Sequence, residues 1–88
     1  MKVEFLKTFS QDLDVLRSKT IKERLFKTIL KIEEAHSLQD ISNLKKLKDH
    51  KSAYRIRIGD YRLGFFFENY TILLAQFIHR KDIYKTFP

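Results

Sequence analysis

The 88-residue chain contains no cysteine, no tryptophan, one proline and two glycines. Without cysteine it has no disulfide framework and no thiolate that could bind a metal or act as a nucleophile. Its two glycines, Gly59 and Gly64, are too few for a glycine-rich phosphate-binding loop, and the sequence has no nucleophile elbow. These absences exclude several large enzyme classes. They also fit a reducing cytoplasm, which is the location we expect.

Long hydrophobic runs are also missing. No apolar stretch approaches the roughly 18 residues that a membrane-spanning helix needs, and the N-terminus lacks the apolar core of a signal peptide. Apolar residues still make up 43% of the chain and include eight phenylalanines. This content is enough for a packed core without disulfides or a structural metal. We therefore expect residues 1–88 to form a single soluble domain.

Positive charge is in clear excess. Eighteen Lys and Arg residues stand against eleven Asp and Glu residues, which gives a net charge of +7. Such an imbalance in a short chain attracts polyanions and speeds encounter with them. Nucleic acid, an anionic membrane surface and an acidic protein are the partner classes that this charge leaves open.

The first half of the chain predicts one strand and two helices. The segment "KVEFL" alternates like a short strand, and Ser10 is a candidate N-cap for a short first helix. Thr20 and Glu23 form a capping-box pattern at the start of a second helix, whose apolar residues recur every three or four positions. After His36 the pattern fades into a loop of about 17 residues, long enough to suggest a function.

The second half predicts three strands, near residues 53–58, 61–67 and 70–79. Short turns separate them, so they form an antiparallel meander. One helical turn or a short helix follows. The predicted fold class is therefore α+β.

The stretch "YRIRIGDYRLGFFF" predicts a tight hairpin with Gly59 and Asp60 in the turn. In that register Arg57 lies opposite Arg62, and two like charges in that position destabilise a strand pair. Arg55 shares their face, to which the strands contribute no carboxylate. A merely solvated face would carry both signs of charge, so we interpret this face as an anion-binding surface. The opposite face is core-like and carries Ile56, Ile58, Leu63, Phe65 and Phe67.

The next turn is predicted at Glu68 and Asn69. This register sets Arg62 opposite Ala75, and by alternation it puts His79 on the same face as Arg62. A one-residue slip would move His79 to the other face.

Two polar groups flank the strands. The preceding loop carries four lysines, which either form a solvated surface or hold nucleic acid: Lys45, Lys46, Lys48 and Lys51. The closing block "HRKDIY" supplies a titratable group, positive charge and a phenol through His79, Arg80, Lys81 and Tyr84. Beside an arginine face, these are the parts of a metal-free ribonuclease.

Glu33 and His36 form an E-x-x-H pattern on the second helix, which supplies half of a metal site in di-iron bundles. No second pair and no cysteine complete it here. We expect no metal site and no cofactor.

The blocks "LKKLKDHKSAYRIRIGDYRLGFF" and "FIHRKDIY", with the predicted order of elements, resemble the RelE toxins of bacterial and archaeal toxin-antitoxin pairs, within the RelE/ParE superfamily. The resemblance covers nearly the whole chain and implies a RelE-like two-layer fold. It also implies a toxin that cleaves messenger RNA in the ribosomal A site without a metal. The partners it implies are an acidic antitoxin encoded beside the toxin, messenger RNA and the ribosome, with no membrane.

The same resemblance assigns the family's strand arginines to Arg55 and Arg62, its C-terminal basic residue to Arg80 and its tyrosine to Tyr84. His79 matches relatives that have a histidine near this position. RNA-binding roles are expected for Arg57, Lys81, Lys45, Lys46, Lys48 and Lys51. A ParE-like gyrase poison and a non-catalytic nucleic-acid-binding module are the alternatives, and the "HRKDIY" block argues against ParE because such toxins generally lack these polar residues.

Overall fold

The computed structural model describes residues 1–88 and contains a single five-stranded sheet. The elements are β1 (Lys2–Phe5), α1 (Lys7–Val15), α2 (Lys19–Glu34), a 3-10 turn (Leu38–Asp40), β2 (Leu44–Lys46), β3 (Ala53–Ile58), β4 (Tyr61–Glu68), β5 (Thr71–His79) and α3 (Arg80–Thr86). The strand order is β1-β5-β4-β3-β2, with β1 parallel to β5 and the other pairs antiparallel. The predicted α+β class and the meander are confirmed. None of the helices combines the length and the hydropathy needed to cross a membrane.

Both predicted helix starts were displaced by a few residues. Ser10 lies inside α1, which begins at Lys7 directly after the extended residue Leu6. The N-cap of α2 is Ser18, whose Oγ accepts a hydrogen bond from the Ile21 N–H at 3.2 Å, so Thr20 belongs to the first turn. Ser and Thr are both good caps, and only the backbone conformation decides which of them is used.

The prediction of a long loop before β3 was wrong in part, because that segment contains β2. Leu44 pairs with Ile56 and Lys45 with Arg55, which covers half of the exposed edge of β3. A three-residue strand is too short to produce a recognisable alternation in the sequence. It can be identified only in the folded protein, where it pairs with β3.

The two faces of the sheet differ in what covers them. Helices α1 and α2 cover one face and enclose the larger core, which consists of Phe9, Leu16, Leu25, Ile29, Ile32, Ile56, Ile58, Leu63, Phe65, Ile72, Leu74 and Phe77. On the other face α3 covers a smaller cluster formed by Ala53, Ala75, Ile83 and Phe87. Part of this second face stays open beside α3, and this is the face that carries the arginines.

The register between β4 and β5 differs from the prediction. The turn residues are Asn69 and Tyr70, both with positive φ. Farther from the turn, a bulge interrupts the pairing of β4 with β5 between Gly64 and Phe65. The turn lies one residue later than predicted, which moves the pairing by two residues, and the bulge moves it by one more, so Arg62 pairs with Ile78 and not with Ala75. Only the one-residue bulge changes the face on which the later side chains lie. His79 consequently pairs with Tyr61 and lies on the opposite face from Arg62.

Gly64 allows α3 to lie close to the sheet. A Cβ atom at this position would come within 2.7 Å of the Phe87 ring, which is closer than real Cβ contacts. Phe87 is 6% exposed, and its ring packs at a tilt against the ring of Phe66, with the centroids 5.1 Å apart. The Phe87 ring therefore occupies the space that a side chain at position 64 would need.

We predict that Gly64→Ala destabilises the protein by roughly 1 to 3 kcal/mol, because the added methyl group overpacks against Phe87. Thermal unfolding followed by circular dichroism would measure the loss, and hydrogen exchange would detect it in α3. Phe87→Ala removes the clashing ring, so the same glycine substitution should cost almost nothing in that background. An equal cost in both backgrounds would show that Phe87 is not the group that excludes a side chain.

Candidate active site

An open cleft of about 300 Å³ lies on the arginine face beside α3. Its lining comes from four elements and the residue before β2: Asn43, Lys45, Arg55, Arg57, Arg62 and Tyr84. The three strand arginines thus share one face, in agreement with the hairpin register, in which Arg57 pairs with Arg62 and Arg55 with Gly64. Lys45 joins them because β2 pairs with β3.

The charge of this cleft is uncompensated. No carboxylate lines it, and the single ion pair of the molecule joins Lys2 to Glu4 elsewhere. Like charges directly opposite each other on neighbouring strands destabilise the pair. An anion bound between Arg57 and Arg62 would remove that repulsion.

Arg55 is the least exposed cation of the cleft, at 8%. Its guanidinium carbon lies 4.6 Å from the centroid of the Tyr84 ring, a cation–π contact. Tyr84 itself is 68% exposed, although its ring covers Arg55. A buried charge without a carboxylate partner is costly, and a phosphate in the cleft would offset part of that cost.

Arg62 is held in place by the turn that precedes it. Its Nη1 donates to the carbonyl oxygens of Gly59 and Tyr61, each at 3.0 Å. An arginine has five N–H donors, so others remain for an anion. The turn therefore orients this side chain before any ligand binds.

Arg80 and Lys81 lie at the start of α3, exposed and outside the cleft lining. The Arg80 N–H donates to the carbonyl of Asp60 at 2.8 Å, which joins the start of α3 to the β3–β4 turn. Arg80 precedes Tyr84 by four residues and shares its side of the helix. The structure thus leaves Arg80 at the edge of the site.

His79 is not brought together with the arginines. Its Nδ1 accepts the Lys81 N–H at 3.1 Å and caps α3, and its ring packs edge-on against Tyr61 at 5.7 Å. It lines a separate recess with Asp12 and Asp82. Burial raises the pKa of the Asp12 carboxyl, and a hydrogen bond from the Phe77 N–H opposes that shift. The expectation that His79 shares the face of Arg62 was wrong, because the bulge reverses the alternation.

The four loop lysines separate as well. Lys45 lines the cleft, whereas Lys46 points to the other face of β2, with its Nζ 6.0 Å from the Tyr54 ring. Lys48 lines a second cavity of about 380 Å³ that shares Arg55 and Tyr84 with the first. Lys51 is exposed and lines neither cavity.

Sequence analysis missed two residues of this region, Asn43 and His50. His50 lines the second cavity, and its Nδ1 accepts the Ser52 N–H at 3.3 Å. Asn43 has a φ of 61° directly before β2 and lines the cleft. No local sequence pattern marks His50 as a site residue, because it reaches the cavity that Arg55 also lines only through the pairing of β2 with β3.

Comparison with known proteins identifies the family to which the chain belongs. The chain matches no protein-family profile. It is 39% identical over 89 residues to Toxin RelE3 of Methanocaldococcus jannaschii, and the match covers 100% of both chains. The chain belongs to the RelE family of toxins. The resemblance drawn from the hairpin and the "HRKDIY" block is thereby confirmed.

Solved structures agree with this RelE assignment. The RelB-RelE antitoxin-toxin complex from Methanococcus jannaschii matches with a TM-score of 0.82 and 35% identity, over 97% of this chain and 99% of that chain. The YoeB dimer from Staphylococcus aureus matches with a TM-score of 0.73 at 18% identity, over 91% and 97%. The intact E. coli RelBE complex matches with a TM-score of 0.70 at 18% identity, over 89% and 94%. The last two likenesses concern the fold alone.

Among the residues to which the RelE resemblance assigns roles, Arg55, Arg62 and Tyr84 line one cleft and Arg80 lies at its edge. RelE toxins are the toxin halves of RelBE-type toxin-antitoxin pairs. The roles themselves remain predictions.

Proposed function

We propose that this RelE-family protein is a ribosome-dependent messenger-RNA endonuclease that uses no metal. The observation that carries the proposal is the cleft, in which four cationic side chains and one phenol converge without a carboxylate. Such a surface suits a phosphodiester, whose charge increases during cleavage. The cytoplasm, where ribosomes act, is the expected location.

The chemistry begins with attack of a ribose 2′-hydroxyl on the adjacent phosphorus. Negative charge grows on the phosphoryl oxygens, and the 5′-oxygen leaves with a proton. Arg57 and Arg62 lie opposite each other and would hold those oxygens from two sides. Arg55 is fixed beneath Tyr84, and Arg80, one helical turn before Tyr84, would add positive charge nearby. Stabilisation of this kind is strongest where water is excluded.

Proton transfer needs a second kind of group. Tyr84 lines both cavities and contacts Arg55, and His50 lines the second cavity together with Arg55. Histidine is the side chain that exchanges protons near neutral pH. His79, at the cap of α3 on the opposite face, is poorly situated for this task. We therefore infer that His50 and Tyr84 are the proton carriers.

We predict that His50→Ala slows message cleavage by roughly 10²- to 10⁴-fold, the usual contribution of a general acid or base. His79→Ala should leave the rate within a few fold and lower the melting temperature, because it removes a helix cap worth about 1 kcal/mol. Single-turnover cleavage and thermal unfolding of both variants would be measured together. Loss of cleavage in His79→Ala alone would return the role to His79.

The central test is translation in vitro with the message ends mapped, using the wild-type protein and Arg62→Ala. Removal of one charge contact to the transition state should slow cleavage by roughly 10²- to 10³-fold without loss of fold, since Arg62 is not part of either core cluster. Arg17→Ala is the matched control, because Arg17 is exposed in the α1–α2 connection and lines no cavity.

Cleavage within codons by the wild-type and Arg17→Ala proteins, but not by Arg62→Ala, would support the proposal. Full activity of a folded Arg62→Ala protein would refute the assignment of the site. Intact message with trapped gyrase would favour a ParE-like toxin. Intact message with neither activity would favour simple nucleic-acid binding.

We further propose that an acidic antitoxin of the RelB kind, encoded beside this chain, is its partner. The relative from Methanococcus jannaschii is described as an antitoxin-toxin complex. This chain also exposes apolar side chains on α2, where Phe26 is 52% and Leu30 57% exposed and both lie on one side of the helix. Apolar anchors of this kind, together with carboxylates over the cleft, would give a tight interface.

Co-expression with the neighbouring reading frame should yield a complex that co-purifies and melts at a higher temperature than the toxin alone. At 1 M salt, where the Debye length is about 3 Å, a complex held by Phe26 and Leu30 should persist. Leu30→Asp should weaken it, because a charge would then be buried without a partner. Failure of any adjacent small protein to bind the toxin or rescue growth would contradict this proposal.

A further inference from the structure

A second basic groove, of about 230 Å³, lies where α2 meets the edge of β3. It is lined by Arg24, Lys27, Thr28, Lys31, Asn43, Arg57 and Ile58. Asn43 and Arg57 also line the arginine cleft. The two depressions therefore adjoin, and positive charge continues from the sheet face around the sheet edge to α2.

The shortness of β2 creates this passage. β2 pairs with β3 only from Tyr54 to Ile56, so the edge of β3 is uncovered beyond that point. Asn43 has a positive φ, and its carbonyl accepts the Arg57 N–H at 3.2 Å as the chain turns away. Arg57 is thus left exposed at the notch between the cleft and the groove.

The groove side of α2 is a strip of cations. Arg24, Lys27 and Lys31 follow at spacings of three and four, so they share one side of the helix, and all three are exposed without an ion pair. They extend over about 10 Å of helix, which is long enough to contact more than one phosphate of an RNA strand. No carboxylate lines the groove. Asp40 lines an adjacent recess, and its Oδ2 accepts the His36 N–H at 3.0 Å, whereas Glu23 and Glu34 of α2 are exposed and form no ion pair.

We propose that this α2 track, defined as Arg24, Lys27, Lys31 and the shared Arg57, binds the phosphate backbone of the RNA strand where it leaves the cleft. The inference rests on the proposed function and adds a non-catalytic binding site to it. Ile58 is the one apolar residue that lines the groove, whereas stable protein interfaces need apolar anchors at their centre. The exposed Phe26 and Leu30 do not line the groove. Phosphates therefore suit the groove better than an acidic protein does.

The test measures binding of 2′-O-methyl RNA, which cannot be cleaved, by fluorescence anisotropy. Oligonucleotides of three and ten residues would be compared, since only the longer one can reach from the cleft to α2. The test variant is Lys27→Gln with Lys31→Gln. Its control is Lys7→Gln with Lys22→Gln, which removes the same charge from α1 and from the opposite side of α2.

We expect the test variant to bind the ten-residue RNA about tenfold more weakly than the control and to lower the log-log salt slope by about 1.4, from two contacts at about 0.7 each. Binding of the three-residue RNA should be the same in both. Equal binding of the longer RNA by the test and control variants would overturn the proposal. The proposal would also be overturned if the test variant lost only its binding to ribosomes or only its binding to the antitoxin. The α2 track would then bind ribosomal RNA or the antitoxin and not the RNA strand that leaves the cleft. The proposed function has a separate readout: if Arg62→Ala binds the three-residue RNA as tightly as the wild type, the cleft assignment fails while the track is still decided by the longer RNA.

Discussion

The ring of Phe87 lies directly against the backbone of Gly64, and this contact holds α3 on the sheet. With α3 in that position, Tyr84 stacks on Arg55 at 4.6 Å and closes one side of the cleft. Arg55 is then buried although it has no carboxylate partner, a state that folded proteins avoid unless something offsets its cost. The close approach of one ring to one glycine thus determines how much of the charged face meets solvent.

The two faces of the sheet differ in what they carry: one packs the larger hydrophobic core, and the other carries the arginine cleft. Its helix-covered face buries twelve residues in the larger cluster, whereas the other face has a cluster of four beneath a short helix. Because the larger core does not depend on the arginine face, that face can carry opposed charges such as Arg57 and Arg62 without loss of the fold. The repulsion is retained in the free protein and becomes available to an anionic ligand.

Helix α2 shows the same separation on a smaller scale. Its buried stripe packs on the sheet, one flank carries Arg24, Lys27 and Lys31, and another exposes Phe26 and Leu30. A cationic flank attracts phosphates over a distance, and an apolar flank binds only on contact. One helix therefore presents two exposed surfaces of different chemistry beside its buried stripe.

Features that depend on neighbouring residues could be predicted from the amino-acid sequence. The Gly59–Asp60 turn sets the first hairpin, so the opposition of Arg57 and Arg62 and the division into an arginine face and an apolar face followed from alternation alone. The hairpin and "HRKDIY" blocks were also specific enough to indicate the RelE family, which full-length identity confirmed. Features that depend on residues distant in the chain could not be predicted before the fold was known. The bulge at Gly64 and Phe65 moved His79 to the opposite face, because an inserted residue reverses every later side chain and leaves no pattern of its own. The pairing of β2 with β3 brought Lys45 into the cleft and His50 into the cavity that Arg55 also lines. This pairing could not be predicted, because a strand of three residues is too short to show a recognisable alternation.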